Sequence, residues 1–225
     1  CVDKCIQLGA VLLLLLTFAL PTGARTYFVD SNQPNDTMDG MSPSRAWSTL
    51  APLRRTRLFS GYSVLLRLGG LWRNSQFVLR RHGIAVAPIV LSCYGPPGLR
   101  LPRIQDTSQY AIGLQGNALV VESLSVSGAR RYAISTLGGG LTDIEIRHNE
   151  IHGSTNGILL SRACRSMIVG NRIHSITYNR SNIGAIGVTL AQCEGIQVSD
   201  NTFRHCIGSD SGKSDGGAIE IFRSN

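Results

Sequence analysis

Four stretches of the chain repeat one pattern of residues: Leu119-Val-Val-Glu-Ser-Leu-Ser-Val-Ser-Gly128, Ile144-Glu-Ile-Arg-His-Asn-Glu-Ile-His-Gly153, Met167-Ile-Val-Gly-Asn-Arg-Ile-His174 and Ile196-Gln-Val-Ser-Asp-Asn-Thr-Phe-Arg-His205. Each has two alternating apolar residues, a turn position that is polar in three of the four, and one further apolar residue. The turn position is Leu124, Asn149, Asn171 or Asn201, spaced by 25, 22 and 30 residues. A repeat of this length, built on short apolar runs, predicts a solenoid whose units bury their faces against their neighbours.

A second set of apolar residues recurs between these stretches: Ile112/Leu114, Ile134, Ile158/Leu160, Val188/Leu190 and Ile219/Ile221. Each lies in a run with a period of two, which indicates strands rather than helices. A unit of about 22 residues with about three short strands is a rung of a parallel β-helix, so the predicted fold is all-β. A leucine-rich repeat would show leucine at fixed spacing and a helical half, and neither is present. The Asn residues fit a tight turn with left-handed backbone geometry, and their stacked amides can hydrogen-bond along the ladder.

The composition sets broad limits on function. The chain has 225 residues, enough for one sizeable domain, and its formal net charge is +8. A basic surface favours a polyanionic partner such as nucleic acid, anionic lipid or an acidic polysaccharide. Alternatively, scattered arginines only solvate the outside of the coil. The sequence has no run of basic residues interleaved with aromatics, which would indicate nucleic-acid binding. We therefore expect no nucleic acid as a partner. We also expect a monomer.

The six cysteines contain no C-x-x-C pair, so a zinc site is not expected. Cys164 and Cys193 lie seven and eight residues before Asn171 and Asn201. They should therefore stack in adjacent rungs at nearly the same corner. They could form a disulfide in an oxidising compartment, or they could simply be two small buried side chains.

Residues 1–24 have the composition of a secretory signal. Lys4 supplies a basic start, the run from Ala10 to Leu20 is apolar, and small residues lead to a cleavage position after Ala24. The apolar run is short for a membrane span, although a retained N-terminal anchor is the alternative. We therefore expect a secreted or periplasmic protein with no stable membrane span after signal removal.

The segment between the signal and the regular repeats is predicted to cap the solenoid. Ser42 suits a helix N-cap and Pro43 the first helical position, and the basic run ending at Arg57 suits a helix C-terminus. The apolar face of this helix would consist of Ala46, Leu50 and Leu53. The expected domains are residues 25–109, with the cap and first strands, and residues 110–225, with rungs that we expect to be incomplete at the C-terminus.

A loop rich in Asn and Asp precedes the predicted helix. Asp30, Asp36 and Asp39 lie close together in it and could hold calcium. The alternative is that they form turns, with Asp39-Gly40 as a tight turn, and we favour this interpretation.

The same region carries a resemblance to a known family. The run Tyr27-Phe-Val-Asp, the run Asp39-Gly-Met-Ser-Pro-Ser-Arg-Ala-Trp-Ser-Thr-Leu50 and the run Gly61-Tyr-Ser-Val-Leu-Leu-Arg-Leu-Gly-Gly70 with Trp72-Arg resemble the N-terminal cap of secreted right-handed parallel β-helix proteins of the pectate-lyase-like superfamily. The resemblance covers nearly the whole mature chain and implies a right-handed parallel β-helix. It does not decide activity, because the superfamily includes lyases, glycoside hydrolases, uronan epimerases and non-enzymatic adhesins.

The resemblance also indicates where chemistry would occur. It implies that the Asn turn joins the second and third strands of a rung, and that the next, longer loop leads to the first strand of the following rung. Two of these loops are lengthened, at residues 175–184 and 206–217. Insertions on one side of a solenoid usually build the binding face.

The second long loop and the strand after it contain three carboxylates and a lysine, namely Asp210, Lys213, Asp215 and Glu220. In a lyase, calcium held by the three carboxylates would neutralise a uronate carboxyl group, and Lys213 or an arginine would remove the adjacent proton. In a hydrolase, two of the carboxylates would act as acid and base, or as acid and nucleophile. Alternatively, the loop is solvated and has no role.

Three further residues are candidates for substrate binding, namely Arg162, Tyr178 and Arg180. They could contact substrate carboxylates or stack on sugar rings. The histidines His148, His152, His174 and His205 follow the repeat, which favours stacked surface residues over ligands. No paired-Asp hydrolase motif and no Asp-Pro-His-Asp epimerase motif is evident in the sequence.

These features together predict a secreted carbohydrate-active protein that cleaves an acidic polysaccharide, as a lyase or as a hydrolase. The basic charge favours the lyase, because its substrate would be anionic. The alternative is a non-catalytic, glycan-binding or adhesin-like surface protein of the same fold.

Overall fold

A computed structural model of the protein describes residues 23–177, 185–208 and 216–224. In these residues the chain coils through three parallel sheets, which we name A, B and C in the order in which each rung visits them. Every strand of a sheet pairs in parallel with the strand one rung earlier or later, so the sheets run along the solenoid. This is the architecture of a parallel β-helix, as the repeat predicts.

The strands are numbered in chain order. Sheet A contains β1 (Thr26–Val29), β2 (Ser63–Arg67), β5 (Ile89–Tyr94), β8 (Leu119–Glu122), β12 (Ile144–Arg147), β16 (Met167–Val169) and β19 (Gln197–Ser199). Sheet B contains β3 (Leu71–Arg73), β6 (Arg103–Gln105), β9 (Ser125–Ser127), β13 (Glu150–His152), β17 (Arg172–Thr177) and β20 (Thr202–Ile207). Sheet C contains β4 (Phe77–Leu79), β7 (Tyr110–Leu114), β10 (Tyr132–Thr136), β14 (Asn156–Ser161), β18 (Ile186–Ala191) and β21 (Gly217–Phe222). A two-stranded sheet pairs β11 (Leu141–Thr142) with β15 (Ala163–Cys164).

The core is a stack of aliphatic side chains in register. In sheet C, Ile134 pairs with Ile112 on one side and with Ile158 on the other, and all three are fully buried. The same column continues through Val188 to Ile219. Each side chain thus buries its apolar surface against the equivalent position of the next rung, which confirms the second repeated pattern in the sequence.

The turn between sheets A and B is stabilised by an asparagine ladder. The Asn171 side chain donates through Nδ2 to Asn201 Oδ1 at 2.9 Å and accepts from Asn149 Nδ2 at 3.1 Å. The left-handed backbone position, however, is the residue before each Asn: His148, Gly170 and Asp200 have φ of 54°, 66° and 57°. Our assignment of that geometry to the asparagines is therefore wrong by one residue, because the Asn side chain supplies hydrogen bonds while its neighbour makes the bend.

The predicted capping α-helix is not formed in this region. Two short 3-10 helices, Pro43–Arg45 and Pro52–Arg54, stand in its place. Ala46 is extended, with φ −60° and ψ 149°. The reason is a long-range pairing: Trp47 N–H donates to Phe28 O at 3.0 Å, and Trp47 O accepts from Asp30 N at 2.7 Å. These bonds draw the middle of the predicted helix alongside β1.

The segment still covers the first rung. Leu50, Leu53 and Leu58 are each no more than 5% exposed. The Trp47 ring stacks on Tyr27 with a centroid separation of 5.1 Å. Closing the end of the solenoid therefore depends on side-chain burial and aromatic stacking, without an α-helix.

Two of the aspartates of the N-terminal loop accept from backbone N–H groups two residues later, as in the turns that we favoured, and they also form ion pairs. Asp30 accepts from Asn32 N–H and pairs with Arg67 at 2.9 Å. Asp36 accepts from Thr49 N–H at 2.8 Å, and Asp39 pairs with Arg45 at 2.9 Å. Each carboxylate has its own partner, so the three do not converge on one point.

The four described cysteines, Cys93, Cys164, Cys193 and Cys206, are free thiols. Cys164 pairs with Glu194 rather than with Cys193, and the Cys193 thiol donates to Leu160 O at 3.3 Å. The structure thus favours buried or half-buried thiols over the disulfide. Among the described residues there is no helix long and apolar enough to cross a membrane. The predicted signal segment lies almost entirely outside them.

Candidate functional site

Both lengthened loops connect sheet B to sheet C. One joins β17 to β18, and the other joins β20 to β21. They therefore reach the same edge of sheet C, one rung apart, where the amino ends of its strands lie. Five predicted site residues lie outside the described residues: Tyr178, Arg180, Asp210, Lys213 and Asp215. Glu220 and Arg162 are the two that the structure describes.

Glu220 lies on the outer face of sheet C. Its neighbours Ile219 and Ile221 pair with Val188 and Leu190 in the inward column, and Glu220 itself pairs with Thr189. Side chains alternate along a strand, so Thr189 and Glu220 point away from the core. The second long loop leads into this strand at Gly217, three residues before Glu220.

A buried tyrosine lies at the amino edge of sheet C, where both long loops enter. Tyr132 begins β10, is 7% exposed, and has the Arg131 guanidinium 5.7 Å from its ring centroid. Burial raises the pKa of the Tyr132 phenol above its ordinary value, and the Glu220 carboxylate raises it further, while Arg131 and Thr189 oppose the shift. The charges of Arg131 and Glu220 therefore act on the pKa of the Tyr132 phenol in opposite directions.

A second tyrosine lies at the same edge of sheet C, one rung earlier. Tyr110 pairs in register with Tyr132. A methyl group added at Gly113 would lie 2.8 Å from Tyr110 Cε2 and 2.6 Å from Leu137 Cδ1. The Tyr110 ring and the Leu137 side chain therefore rest directly on the backbone at Gly113, which only glycine allows. The amino edge of sheet C thus carries Tyr110, Tyr132 and Arg131, and its outer face carries Thr189 and Glu220.

The sequence contained a signal for these tyrosines that the prediction did not use. Residues 110–112 and 132–134 both read Tyr-Ala-Ile at the start of a predicted strand. Alternation alone would direct a tyrosine two residues before the buried isoleucine inward, so the repeat marks these tyrosines but does not determine where their rings lie. Arg131, directly before the second Tyr-Ala-Ile, was missed as well.

Arg162 lies at the opposite edge of sheet C. It follows the last residue of β14, is exposed, and has a φ of 51°. Its guanidinium crosses Gly139, where an added methyl group would lie 2.6 Å from Nε. A six-residue strand spans about 20 Å, so Arg162 and the long loops flank the outer face from opposite sides.

The repeated histidines belong to sheet B and its turns. The rings of His152 and His174 stack in parallel with centroids 5.2 Å apart. His152 Nε2 lies 3.1 Å from Ser125 Oγ, and His174 Nε2 lies 3.2 Å from Glu150 Oε1. Burial lowers the pKa of His152 below its ordinary value, with Glu150 opposing the shift. The two stacked rings therefore follow the repeat, as favoured, on a face other than that of Glu220.

In the described part of the chain, no three His, Cys, Asp or Glu side chains come together to hold a metal ion. Of the three predicted calcium ligands, only Glu220 belongs to that part. Its carboxylate is a suitable oxygen ligand for calcium, and the residue is half-buried on the outer face of sheet C.

Parallel strands stacked rung on rung, with an asparagine ladder at one corner, define a β-helix solenoid. The family described as "Right handed beta helix region" matches residues 102–225, which is more than half of the chain. The protein belongs to this family, and its fold is a right-handed parallel β-helix. No curated protein matches the chain by sequence.

Solved structures with the same fold include three enzymes. A pectate lyase, Pel9A, matches with a TM-score of 0.61 and 15% identity over 79% of this chain and 47% of that chain. An alginate lyase from Paenibacillus sp. str. FPU-7 matches with a TM-score of 0.58 and 14% identity over 89% and 75%. A GH136 lacto-N-biosidase from Eubacterium ramulus matches with a TM-score of 0.59 and 14% identity over 81% and 52%. The chain thus spans about half the length of the pectate lyase and lacto-N-biosidase structures.

Proposed function

We propose that the protein is a secreted or periplasmic carbohydrate-active β-helix protein that cleaves an acidic polysaccharide at the outer face of sheet C. The observation that carries this proposal is that Glu220 points outward from the strand into which the second long loop leads, in the sheet whose amino edge carries Tyr132 and Arg131. Aromatic rings, guanidinium groups and carboxylates are the groups that bind sugar rings and uronate carboxylates. The net charge of +8 fits an anionic substrate.

The reaction we favour is β-elimination. A base removes the proton at C5 of a uronate, and the electrons form a C4–C5 double bond. The bond from C4 to the glycosidic oxygen breaks, and this oxygen keeps the electron pair and takes a proton from water to leave as a hydroxyl group. We assign Lys213 as the base and Arg131 to the substrate carboxylate. Calcium held by Asp210, Asp215 and Glu220 would supply further neutralisation of that carboxylate. Arg162, Tyr178 and Arg180 are proposed to hold neighbouring sugar rings.

The test uses the full chain with pectate, alginate and glycosaminoglycans as substrates. A lyase produces both the ultraviolet absorbance of an unsaturated uronate and new reducing ends, whereas a hydrolase that uses two of the carboxylates produces reducing ends alone. Glu220→Gln should lower turnover at least tenfold. The matched control is Glu194→Gln, because Glu194 is exposed at a corner that leads into sheet A.

If neither product appears with any of the substrates, the proposed enzymatic activity is refuted. The non-catalytic alternative makes its own prediction, since a glycan-binding protein would retain binding after Lys213, Asp215 and Glu220 are replaced by Ala. Binding that survives this triple replacement, without turnover by the unaltered chain, would assign the protein to that class.

A further inference from the structure

The N-terminal cap carries a basic groove that the proposed reaction does not use. The groove has a volume of about 300 Å³ and lies between the segment around Leu53 and Leu58 and the stretch of residues 76–81. Three arginines line it: Arg54, Arg80 and Arg81. None of its lining residues is acidic. Within the described part of the chain, none of the three arginines forms a salt bridge.

One wall of the groove is the free edge of a sheet. Strand β4 is the terminal strand of sheet C. Leu79 O accepts from Gln115 N–H at 2.9 Å, towards β7, whereas Gln76 O accepts from Arg54 Nη2 at 3.3 Å, towards the groove. Successive residues of a strand direct their backbone groups to alternate sides, so the N–H and C=O of Val78 also face the groove. The site therefore offers guanidinium groups together with backbone donors and acceptors.

The groove continues the candidate substrate face. Sheet C has six strands, with β4 at one end and β21, the strand of Glu220, at the other. Strands lie about 4.8 Å apart, so the two ends are about 24 Å from each other along the solenoid. A long chain bound at Glu220 and running along the sheet would reach the groove, whereas a short oligosaccharide would not.

We propose that this groove is a second binding site for the acidic polysaccharide, which anchors long chains at the cap; the proposal rests on the proposed substrate class. The fork of an arginine matches a carboxylate or sulfate in two parallel hydrogen bonds, and polysaccharide hydroxyl groups suit the free edge at Val78. An acidic peptide fits less well, because a three-residue edge strand gives an added strand few backbone pairs.

The test measures binding, so it does not depend on turnover. Native gels containing polygalacturonate, alginate or chondroitin sulfate are run with the unaltered chain and with Arg54→Gln/Arg80→Gln, two exposed positions. The control is Arg100→Gln/Arg204→Gln, which removes the same charge at two exposed positions away from the groove. The groove variant should bind long chains about three- to tenfold more weakly than the control, while binding of short oligosaccharides is unchanged.

The outcomes separate this site from the proposed enzyme. A groove variant with weakened long-chain binding supports the anchor even if no product is ever detected. Equal binding of the groove and control variants overturns it even if the enzyme is active. Retention by polyglutamate, with no retention by any acidic polysaccharide, would also overturn it.

Discussion

The asparagine ladder allows a quantitative test of what holds successive rungs together. Asn171 is 1% exposed and lies at its centre. Its Oδ1 accepts from Asn149 N–H at 3.0 Å and from Asn149 Nδ2 at 3.1 Å. Its Nδ2 donates to Ile146 O at 2.8 Å and to Asn201 Oδ1 at 2.9 Å. One side chain thus links three consecutive rungs.

Replacement of Asn171 by Ala should lower the free energy of unfolding by about 3 kcal/mol. Asn149 is 2% exposed, so its backbone N–H would be left buried without its acceptor, which costs about 1–3 kcal/mol. Each further hydrogen bond that is lost contributes about 1 kcal/mol. This sum is a large part of the 5–15 kcal/mol that is typical of a whole domain.

The assay is urea unfolding followed by far-ultraviolet circular dichroism, which reports the strands of the whole solenoid. Asn117→Ala is the matched control. Asn117 Oδ1 accepts from the backbone N–H of Thr142 in the next rung at 3.1 Å, but both residues are half-buried, so water can replace this bond. We expect a loss of about 1 kcal/mol for this control. A loss below about 1 kcal/mol for Asn171→Ala, or equal losses for both variants, would refute the reasoning.

Three further predictions concern other parts of the molecule. Burial lowers the pKa of His152 below 6.5, so the unfolded chain takes up a proton before the folded chain does as the pH falls. The free energy of unfolding should therefore decrease below about pH 6.5. Urea titrations at several pH values should show that His152→Gln flattens this dependence. Gly40→Ala should destabilise the cap by about 2 kcal/mol or more, because the added methyl group would lie 2.7 Å from Trp47 Cε2 and the backbone φ is 71°. The measurement is tryptophan fluorescence during unfolding. The control Gly98→Ala has a φ of 90° but open space around the methyl group, so it should lose only the energy of the strained backbone. Alkylation of the denatured chain without reductant should modify both Cys164 and Cys193, and a linked peptide pair in the mass spectrum would contradict the free thiols.

The sequence was sufficient to predict the solenoid because the repeat encodes contacts between equivalent positions. Ile134 and Ile158 contact each other because they occupy the same place in successive rungs, so residues that lie one repeat apart in the sequence are neighbours in space. The same logic predicted the stacked amides. It did not predict that His148, rather than Asn149, adopts the left-handed conformation, because both residue types tolerate it and only the hydrogen bonds of the ladder decide between them.

The capping helix was predicted from local signals, and a non-local contact overrode them. Ser42 and Pro43 do begin a helical turn, but it ends at Arg45. Trp47 then pairs with β1 and donates through Nε1 to Met38 O at 2.7 Å. Nothing in the helical periodicity of this segment reveals a partner nearly twenty residues earlier in the chain, which is why tertiary pairing wins over propensity here.

The repeat predicts one part of the candidate site, the outward direction of Glu220, but it does not predict which other side chains lie near it. Glu220 could be placed on the outer face because it lies between two members of the inward column, so its direction follows from alternation alone. Tyr132 and Arg131 come from more than eighty residues earlier, and two strands separate β10 from the strand of Glu220. Where their side chains lie depends on side-chain length and on how closely the rungs pack, and a one-dimensional repeat encodes neither. The regular positions of a solenoid therefore identify the face, and the side chains that lie across the rungs determine what that face can bind.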